Sequence, residues 1–275
     1  MGNPGLDRSA RGHPDQAVGL VPRVALVIGG SRGIGHGIAE RLAADGHSVI
    51  LAARSAAQVE AAAQAIRDTG GVAEGRTLDV TDPASVERVV AEVLTAHARL
   101  EILVNSAGAS YIAPVVLADP ARARAVVETN LLGAWFVSRA VLRPMMTARW
   151  GRIIHVGSIS AQLGAAFNAI YAASKAGVHA LVRSLALEVA QSGITVNAVA
   201  PGYVRTQLFD HTQGRRAQLK GVSPEQHEAD LLAEVPTRRF VEVREVAAAV
   251  AYLASEEAQS VTGQVLTVDG GRTAV

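Results

Sequence analysis

Val24-Ala25-Leu26-Val27-Ile28-Gly29-Gly30-Ser31-Arg32-Gly33-Ile34-Gly35 is the stretch whose reading decides the fold. Its first five residues are all apolar, as a strand buried on both faces requires, and the glycines that follow suit a tight turn into a helix. Such a turn lets the backbone approach an anion and leaves the first N–H groups of the helix pointing at it, where the dipole favours negative charge. A dinucleotide's pyrophosphate is therefore expected on Gly29, Ser31, Arg32, Gly33, Ile34 and Gly35. A plain strand–helix turn shows the same glycines, so the rest of the chain has to discriminate.

Outward from this turn, short β-branched runs alternate with Ala-rich helical patterns. Further strands are expected over 48–52, 72–78, 102–104, 152–156, 194–199 and 264–268, and helices over 33–45, 56–69, 83–96, 121–146, 171–191 and 243–254. That pattern is an α/β single-domain Rossmann fold with a doubly wound seven-stranded parallel sheet, occupying residues 23–275. Residues 207–236 are polar, helix-capable and without a strand partner. They read as an insertion after the sixth strand that forms a lid over a substrate. The first 22 residues, with seven Gly or Pro and no apolar period, read as a disordered arm.

Composition removes several classes of function. The 26 basic and 25 acidic residues nearly cancel, so no bulk field points to nucleic acid or to an anionic membrane. The absence of cysteine excludes disulfides, Cys-ligated zinc, iron–sulfur clusters and thiol nucleophiles. The eight histidines show no metal-binding spacing, and His155 reads as a core or pocket residue, so no metal site is expected. No uninterrupted apolar run of about 18 residues is present, so a membrane span is not expected and a cytoplasmic location is.

The remaining clues are charged or hydroxylic. The second strand ends Leu51-Ala52-Ala53-Arg54, where an enzyme using NAD usually places an acid for the ribose hydroxyls. An acid there would repel a 2′-phosphate, whereas Arg54 and Arg32 offer it forked donors, which points to NADP(H). Surface exposure of both arginines is the bland alternative. Only two lysines exist, and Lys175 follows Tyr171 by one helical turn, on the same face. A phenol beside an ammonium is expected to have a lowered pKa and to suit proton transfer to a carbonyl oxygen. Ser158, at the end of the fifth strand, is placed to hydrogen-bond a developing alkoxide, although Gly157-Ser158 also reads as ordinary turn chemistry.

With these residues the sequence resembles the short-chain dehydrogenase/reductase family over nearly all of its length after residue 22. Gly29, Gly33 and Gly35 match the family's glycine motif, with Ile28 in place of a threonine. Asn105-Ser106-Ala107-Gly108 matches its Asn-Asn-Ala-Gly with one change. The resemblance implies that Asn105, Ala107 and Gly108 contact the cofactor, that Asp79 and Val80 meet the adenine, and that Pro201, Gly202, Val204 and Thr206 clamp the nicotinamide. It also implies catalytic roles for Asn130, Ser158, Tyr171 and Lys175, cofactor contacts by Tyr171 and Lys175, and a homotetramer built on the helices at 121–146 and 171–191.

The tail resembles 3-hydroxybutyrate dehydrogenases, which are NAD-dependent, so an NAD-dependent 3-hydroxy-acid dehydrogenase is the alternative. The positions matching that group's carboxylate ligands hold Ser110, Ser160, Asn168 and Thr212, none of them charged. A buried carboxylate would lack its cation there. The arginine pair and this pocket are more similar to NADPH-dependent 3-oxoacyl and polyketide ketoreductases. The expected activity is therefore reduction of a 3-oxoacyl, polyketide-like or cyclic ketone, free or carrier-bound, to a secondary alcohol. Tyr111, Phe167, Tyr203 and Phe209 are candidate pocket aromatics. Arg215, Arg216 and Lys220 read as the solvated face of the lid helix, with steering of a carrier phosphate as the alternative. A non-catalytic nucleotide sensor would gain nothing from Ser158, Tyr171 and Lys175 together. Dehydration or epimerisation would need product analysis to distinguish.

Overall fold

The computed structural model describes residues 21–274. Its strands are β1 (Val24–Ile28), β2 (Ser48–Ala53), β3 (Val72–Thr77), β4 (Ile102–Asn105), β5 (Gly151–Val156), β6 (Ile194–Pro201) and β7 (Val265–Val268). Its α-helices are α1 (Gly33–Ala44), α2 (Ala56–Asp68), α3 (Pro83–His97), α4 (Pro120–Val127), α5 (Gly133–Ala148), α6 (Ala169–Val189), α7 (Gln207–Lys220), α8 (Pro224–Glu234) and α9 (Val243–Ala254). The expected arm over 1–22 lies, but for Val21 and Pro22, outside the described residues.

All seven strands pair in parallel in the order β3-β2-β1-β4-β5-β6-β7, the doubly wound sheet expected from the sequence. The winding direction reverses between β1 and β4, and open α/β sheets take ligands in the crevice at such a switch point. Alternation along the strands splits the core into two layers. Ala25 and Val27 of β1 face one layer, with Ile38 and Leu42 of α1, Val59 and Ile66 of α2, and Val246 and Val250 of α9. Leu26 and Ile28 face the other, with Val86 and Val90 of α3, Val137 and Val141 of α5, and Val182 and Val189 of α6. Each fully buried Leu or Ile contributes about 2 kcal/mol, so the strand ends leave a firm platform.

Where one helix is expected over 121–146, the chain forms α4, a π-helical turn at Glu128–Leu132, and α5. The wider turn carries Asn130, which is buried. Gly133 meets Val80 so closely that a Cβ would lie 3.0 Å from the Val80 side chain. A single-residue change of helical phase leaves no mark on apolar periodicity, and such turns gather at functional sites. The whole run Pro120–Ala148 is long and apolar enough to cross a membrane by length and composition. Arg124, Arg139 and Arg143 interrupt it, so it is not an uninterrupted apolar stretch. It packs Val137, Val141 and Met145 into the core.

The segment expected as an insertion over 207–236 forms α7 and α8, separated by Gly221 at φ 70°. Thr206 and Ser223 accept from the backbone N–H groups of Phe209 and Gln226 and so start the two helices. Only α7 borders the cleft described next, and α8 packs behind it.

Candidate active site

A cleft of about 770 Å³ opens at the C-terminal ends of the strands. At its cofactor end, Gly29 (φ 74°) runs so close to the loop after β4 that a Cβ would lie 2.8 Å from the Ala107 nitrogen. A Cβ on Gly35 would collide with the Gly29 carbonyl oxygen. Only glycine fits at either place. Helices α2, α3, α4, α7 and α8 are closed by Ser55, Asp82, Asp119, Thr206 and Ser223, but Arg32 provides α1 with no side-chain cap. The first N–H groups of α1 are thus left for an anion in the cleft.

Ser31, Arg32, Gly33, Ile34 and Arg54 line this end, both arginines being exposed at its rim. Arg32 Nη1 also donates to Gln207 Oε1 across 3.3 Å, linking the glycine turn to α7. Burial pushes the Asp79 carboxyl up. Hydrogen bonds to its Oδ1 from Thr81 N (2.9 Å) and Thr81 Oγ1 (2.7 Å), with the Arg54 charge, outweigh burial and hold it below its ordinary value. Val80, Ala107 and Gly108 also line the cleft, as do Pro201, Gly202, Val204 and Thr206. A bare helix N-terminus, a glycine cradle and two guanidinium groups fit the dinucleotide phosphate that the sequence predicts.

Asn105 is a correction, since it does not border the cleft. It is buried, and its Oδ1 accepts from Ala107 N at 3.2 Å. Its Nδ2 lies 3.4 Å from His155 Nδ1, while His155 Nε2 lies 3.0 Å from Ser138 Oγ, which itself donates to Ala134 O. With that hydroxyl proton committed, the imidazole is assigned as neutral with its proton on Nε2, in agreement with a pKa pushed down to about 3 by burial and then by Lys175. Asn105 therefore shapes the loop that carries Ala107 and Gly108.

At the inner end, Ser158, Tyr171 and Lys175 share the cleft wall. Ser158 leaves β5, and its Oγ accepts from Ser160 N at 3.1 Å. Tyr171 and Lys175 stand one turn apart near the start of α6. Lys175 Nζ donates to Val156 O at 2.7 Å and lies 6.0 Å from the centre of the Tyr171 ring. The expected lowering of the phenol by Lys175 does not occur here. Burial raises the Tyr171 pKa above its ordinary value, and the groups that oppose it are Ser158, by hydrogen bonding, and Arg216, by charge. Lys175 is drawn toward the Val156 carbonyl instead.

Asn130 is buried behind the cleft. Its Oδ1 accepts from Ala109 N (2.7 Å), and its Nδ2 donates to Ala109 O and Ser174 Oγ (both 2.9 Å). A Cβ on Gly108 would sit 3.6 Å from Asn130 Oδ1 and 3.7 Å from Lys175 Nζ, so the two side chains converge on this glycine.

The family profile described as enoyl-(acyl carrier protein) reductase matches residues 28–273. The 3-oxoacyl-[acyl-carrier-protein] reductase FabG of Escherichia coli is 43% identical over 250 residues, covering 90% of this chain and 96% of the relative. The chain belongs to the short-chain dehydrogenase/reductase family. A ketoacyl reductase assigned to the monensin polyketide synthase of Streptomyces virginiae is 40% identical over 251 residues, with 90% of this chain and 96% of the relative covered. A solved variant of the actinorhodin polyketide ketoreductase, with NADPH, superposes with a TM-score of 0.89 at 37% identity, covering 92% of this chain and 98% of that one. These relatives lie on the ketoreductase side of the two resemblances read from the sequence.

In this short-chain dehydrogenase/reductase, Ser110, Ser160, Asn168, Tyr203, Phe209 and Thr212 also line the cleft. Asn168 Nδ2 donates to Ser160 Oγ at 3.3 Å, and its Oδ1 is buried without a partner. Tyr203, Phe209 and Phe240 form an aromatic cluster, with ring centres 6.1 Å and 5.3 Å apart. Tyr111 also borders the cleft, whereas Phe167 does not, its φ of 66° belonging to a loop whose carbonyl accepts from Ala113 N. Arg215 and Lys220 are exposed as expected, but Arg216 is buried in the cleft wall. Helical spacing held the signal for it: Phe209, Thr212 and Arg216 recur at three and four residues, on the face that carries a pocket aromatic.

Gly157, which sets Ser158 in place, has no room for a side chain, because a Cβ there would overlap His179 Nε2 and lie 3.0 Å from His179 Cδ2. Gly157→Ala is expected to destabilise the fold by about 1–3 kcal/mol and to lower kcat more than it raises KM. Calorimetry with steady-state kinetics checks this, and an unchanged Tm would show that His179 moves aside freely.

The buried Lys175 has its pKa lowered to about 8 by desolvation, so it loses charge as pH rises through that value. Tyr171, held above its ordinary value, keeps its proton over the same range. Accordingly kcat/KM for ketone reduction is expected to fall above pH about 8, and Lys175→Arg to carry that limb beyond the measurable range. Persistence of the limb in the variant would assign it to another group.

Proposed function

We propose that this enzyme uses NADPH to reduce the ketone of a small 3-oxoacyl, polyketide-like or cyclic compound to a secondary alcohol. The observation that carries this is one continuous cleft, with Arg32 and Arg54 at its outer end and Ser158, Tyr171 and Lys175 at its inner end. When bound, the nicotinamide supplies the hydride. Gly29, Gly33, Gly35 and the uncapped start of α1 hold the pyrophosphate, Asp79 and Val80 the adenine side, and Pro201, Gly202, Val204 and Thr206 the nicotinamide side.

The side chains manage the oxygen. Ser158 Oγ donates to the ketone oxygen, and Tyr171 gives it a proton as negative charge develops there. One such contact is worth about 3 kcal/mol of barrier, and a positioned acid adds about 100-fold or more. Lys175 and Asn130 hold the region through which the phenol regains its proton. Helix α7 covers the substrate as a lid, with Tyr203 and Phe209 providing its apolar lining.

Similarity to an acyl-carrier-protein reductase and a polyketide ketoacyl reductase supports a carrier-borne acyl chain among the substrates tried. Exposed Leu132, Trp135, Met146 and Leu187 on α5, α6 and the turn before α5 support the homotetramer, which light scattering would measure. A cytoplasmic location belongs to the same reading. The NAD-dependent alternative finds no acid at Arg54. The test is a screen of acyl thioesters, cyclic ketones and quinones, following the absorbance of NADPH and of NADH. Consumption of NADPH by at least one ketone class is expected, and a general preference for NADH would overturn the cofactor assignment.

A further inference from the structure

Helix α7 carries a buried guanidinium, that of Arg216, which has no part in hydride or proton transfer. Arg216 is 9% exposed and lines the cleft together with Ser158 and Tyr171. Its Nε is shut off from solvent and has no hydrogen-bond partner. Glu234, the carboxylate whose charge reaches Arg216, makes no ion pair with it: its Oε2 accepts from Tyr203 Oη at 3.0 Å and from Arg272 Nε and Nη2 at 3.2 and 3.0 Å. Burying a cation without a partner is costly, and the cost is offset when a bound anion completes the pair.

The position of Arg216 decides which anion that is. The dinucleotide phosphates have Arg32, Arg54 and the start of α1 at the far end of the cleft. Arg216 instead lines the cleft with Ser158, Tyr171 and Tyr203, and its charge acts on both phenols. Ser110, Ser160, Asn168 and Thr212, at positions matching the carboxylate ligands of 3-hydroxybutyrate dehydrogenases, are uncharged. The lid supplies from above the cation that those positions lack.

We propose that Arg216 is a specificity-determining residue, and that the substrate carries, beside the ketone, a carboxylate that pairs with its guanidinium. This rests on reading the cleft as a ketone-reducing site, and it narrows the substrate to keto acids and acyl chains that bear an acid. The same charge, once paired, no longer draws the Tyr171 phenol toward ionisation, so the phenol keeps its proton until the ketone oxygen takes it.

Isothermal titration calorimetry on the enzyme–NADP⁺ complex tests the pairing without turnover. Acetoacetate and levulinate are each compared with their methyl esters, on the wild type, Arg216→Gln and Arg216→Lys. At least one acid is expected to bind about 100-fold more tightly than its ester, Arg216→Gln to erase that preference, and Arg216→Lys to restore part of it. NADP⁺ affinity unchanged in the variants shows that they are folded. Equal binding of acid and ester by the wild type overturns the proposal, as does failure of both acids to bind, or equal weakening of acid and ester in Arg216→Gln. An acid preference with no ketone reduced would leave the pairing standing and refute the reductase reading. Reduction of neutral ketones without an acid preference would do the reverse.

Discussion

Tyr171→Phe is expected to lower kcat by about 1000-fold while NADPH binds with nearly unchanged affinity. The ring stays packed on α6, so the substitution removes only the hydroxyl that gives its proton to the ketone oxygen. Ser158 still reaches that oxygen, and the cofactor end of the cleft lies away from the change, so a residual rate above the uncatalysed one should persist. Stability should change little, because Tyr171, held above its ordinary value, keeps its proton over the assay range and the ring stays packed. Fluorescence titration with NADPH and single-turnover kinetics separate the two effects. Retention of most of the activity would mean that another group donates the proton.

Replacing both Arg32 and Arg54 by Ala should shift the ratio of kcat/KM for NADPH over NADH by about 100-fold, almost entirely through the loss with NADPH. Each guanidinium at a phosphate contributes a charge-assisted hydrogen bond. Because both side chains are exposed at the rim, each is worth only about 1–2 kcal/mol. Arg54→Ala alone tests the phosphate more cleanly, since Arg32 also holds Gln207 of α7 and its removal loosens that contact. Raised ionic strength should erode the preference for NADPH in the wild type. A double variant that still prefers NADPH as strongly as the wild type would remove the arginine argument.

Much of this architecture is legible in the sequence because burial on both faces leaves a simple mark. Leu26, Leu103 and Val196 sit in near-continuous apolar runs, and the observed strands differ from those runs by at most a few residues. The glycine turn is legible because a side chain at Gly29 or Gly35 meets backbone, a constraint that local sequence records directly. Three features are not legible, each for a physical reason. The π turn at Glu128–Leu132 is a phase shift of one residue within a helical pattern. Asn105 looks like a contact residue because it stands in the cofactor loop, yet its amide is used on Ala107 and His155. The charge felt by Tyr171 depends on how α7 folds back over the sheet, which puts Arg216 in the same cleft wall while Val156 O holds Lys175.

The central claim is that hydride passes from NADPH to a ketone carbon beside Ser158 and Tyr171. Nicotinamide-deuterated NADPH, incubated with the enzyme and in turn with acetoacetate, levulinate and an acetoacetyl thioester and followed by mass spectrometry of the alcohol, tests it most directly. The account predicts deuterium on the carbinol carbon, in one stereochemical sense. Alcohol formed without deuterium, or labelled cofactor left unconsumed, would contradict it.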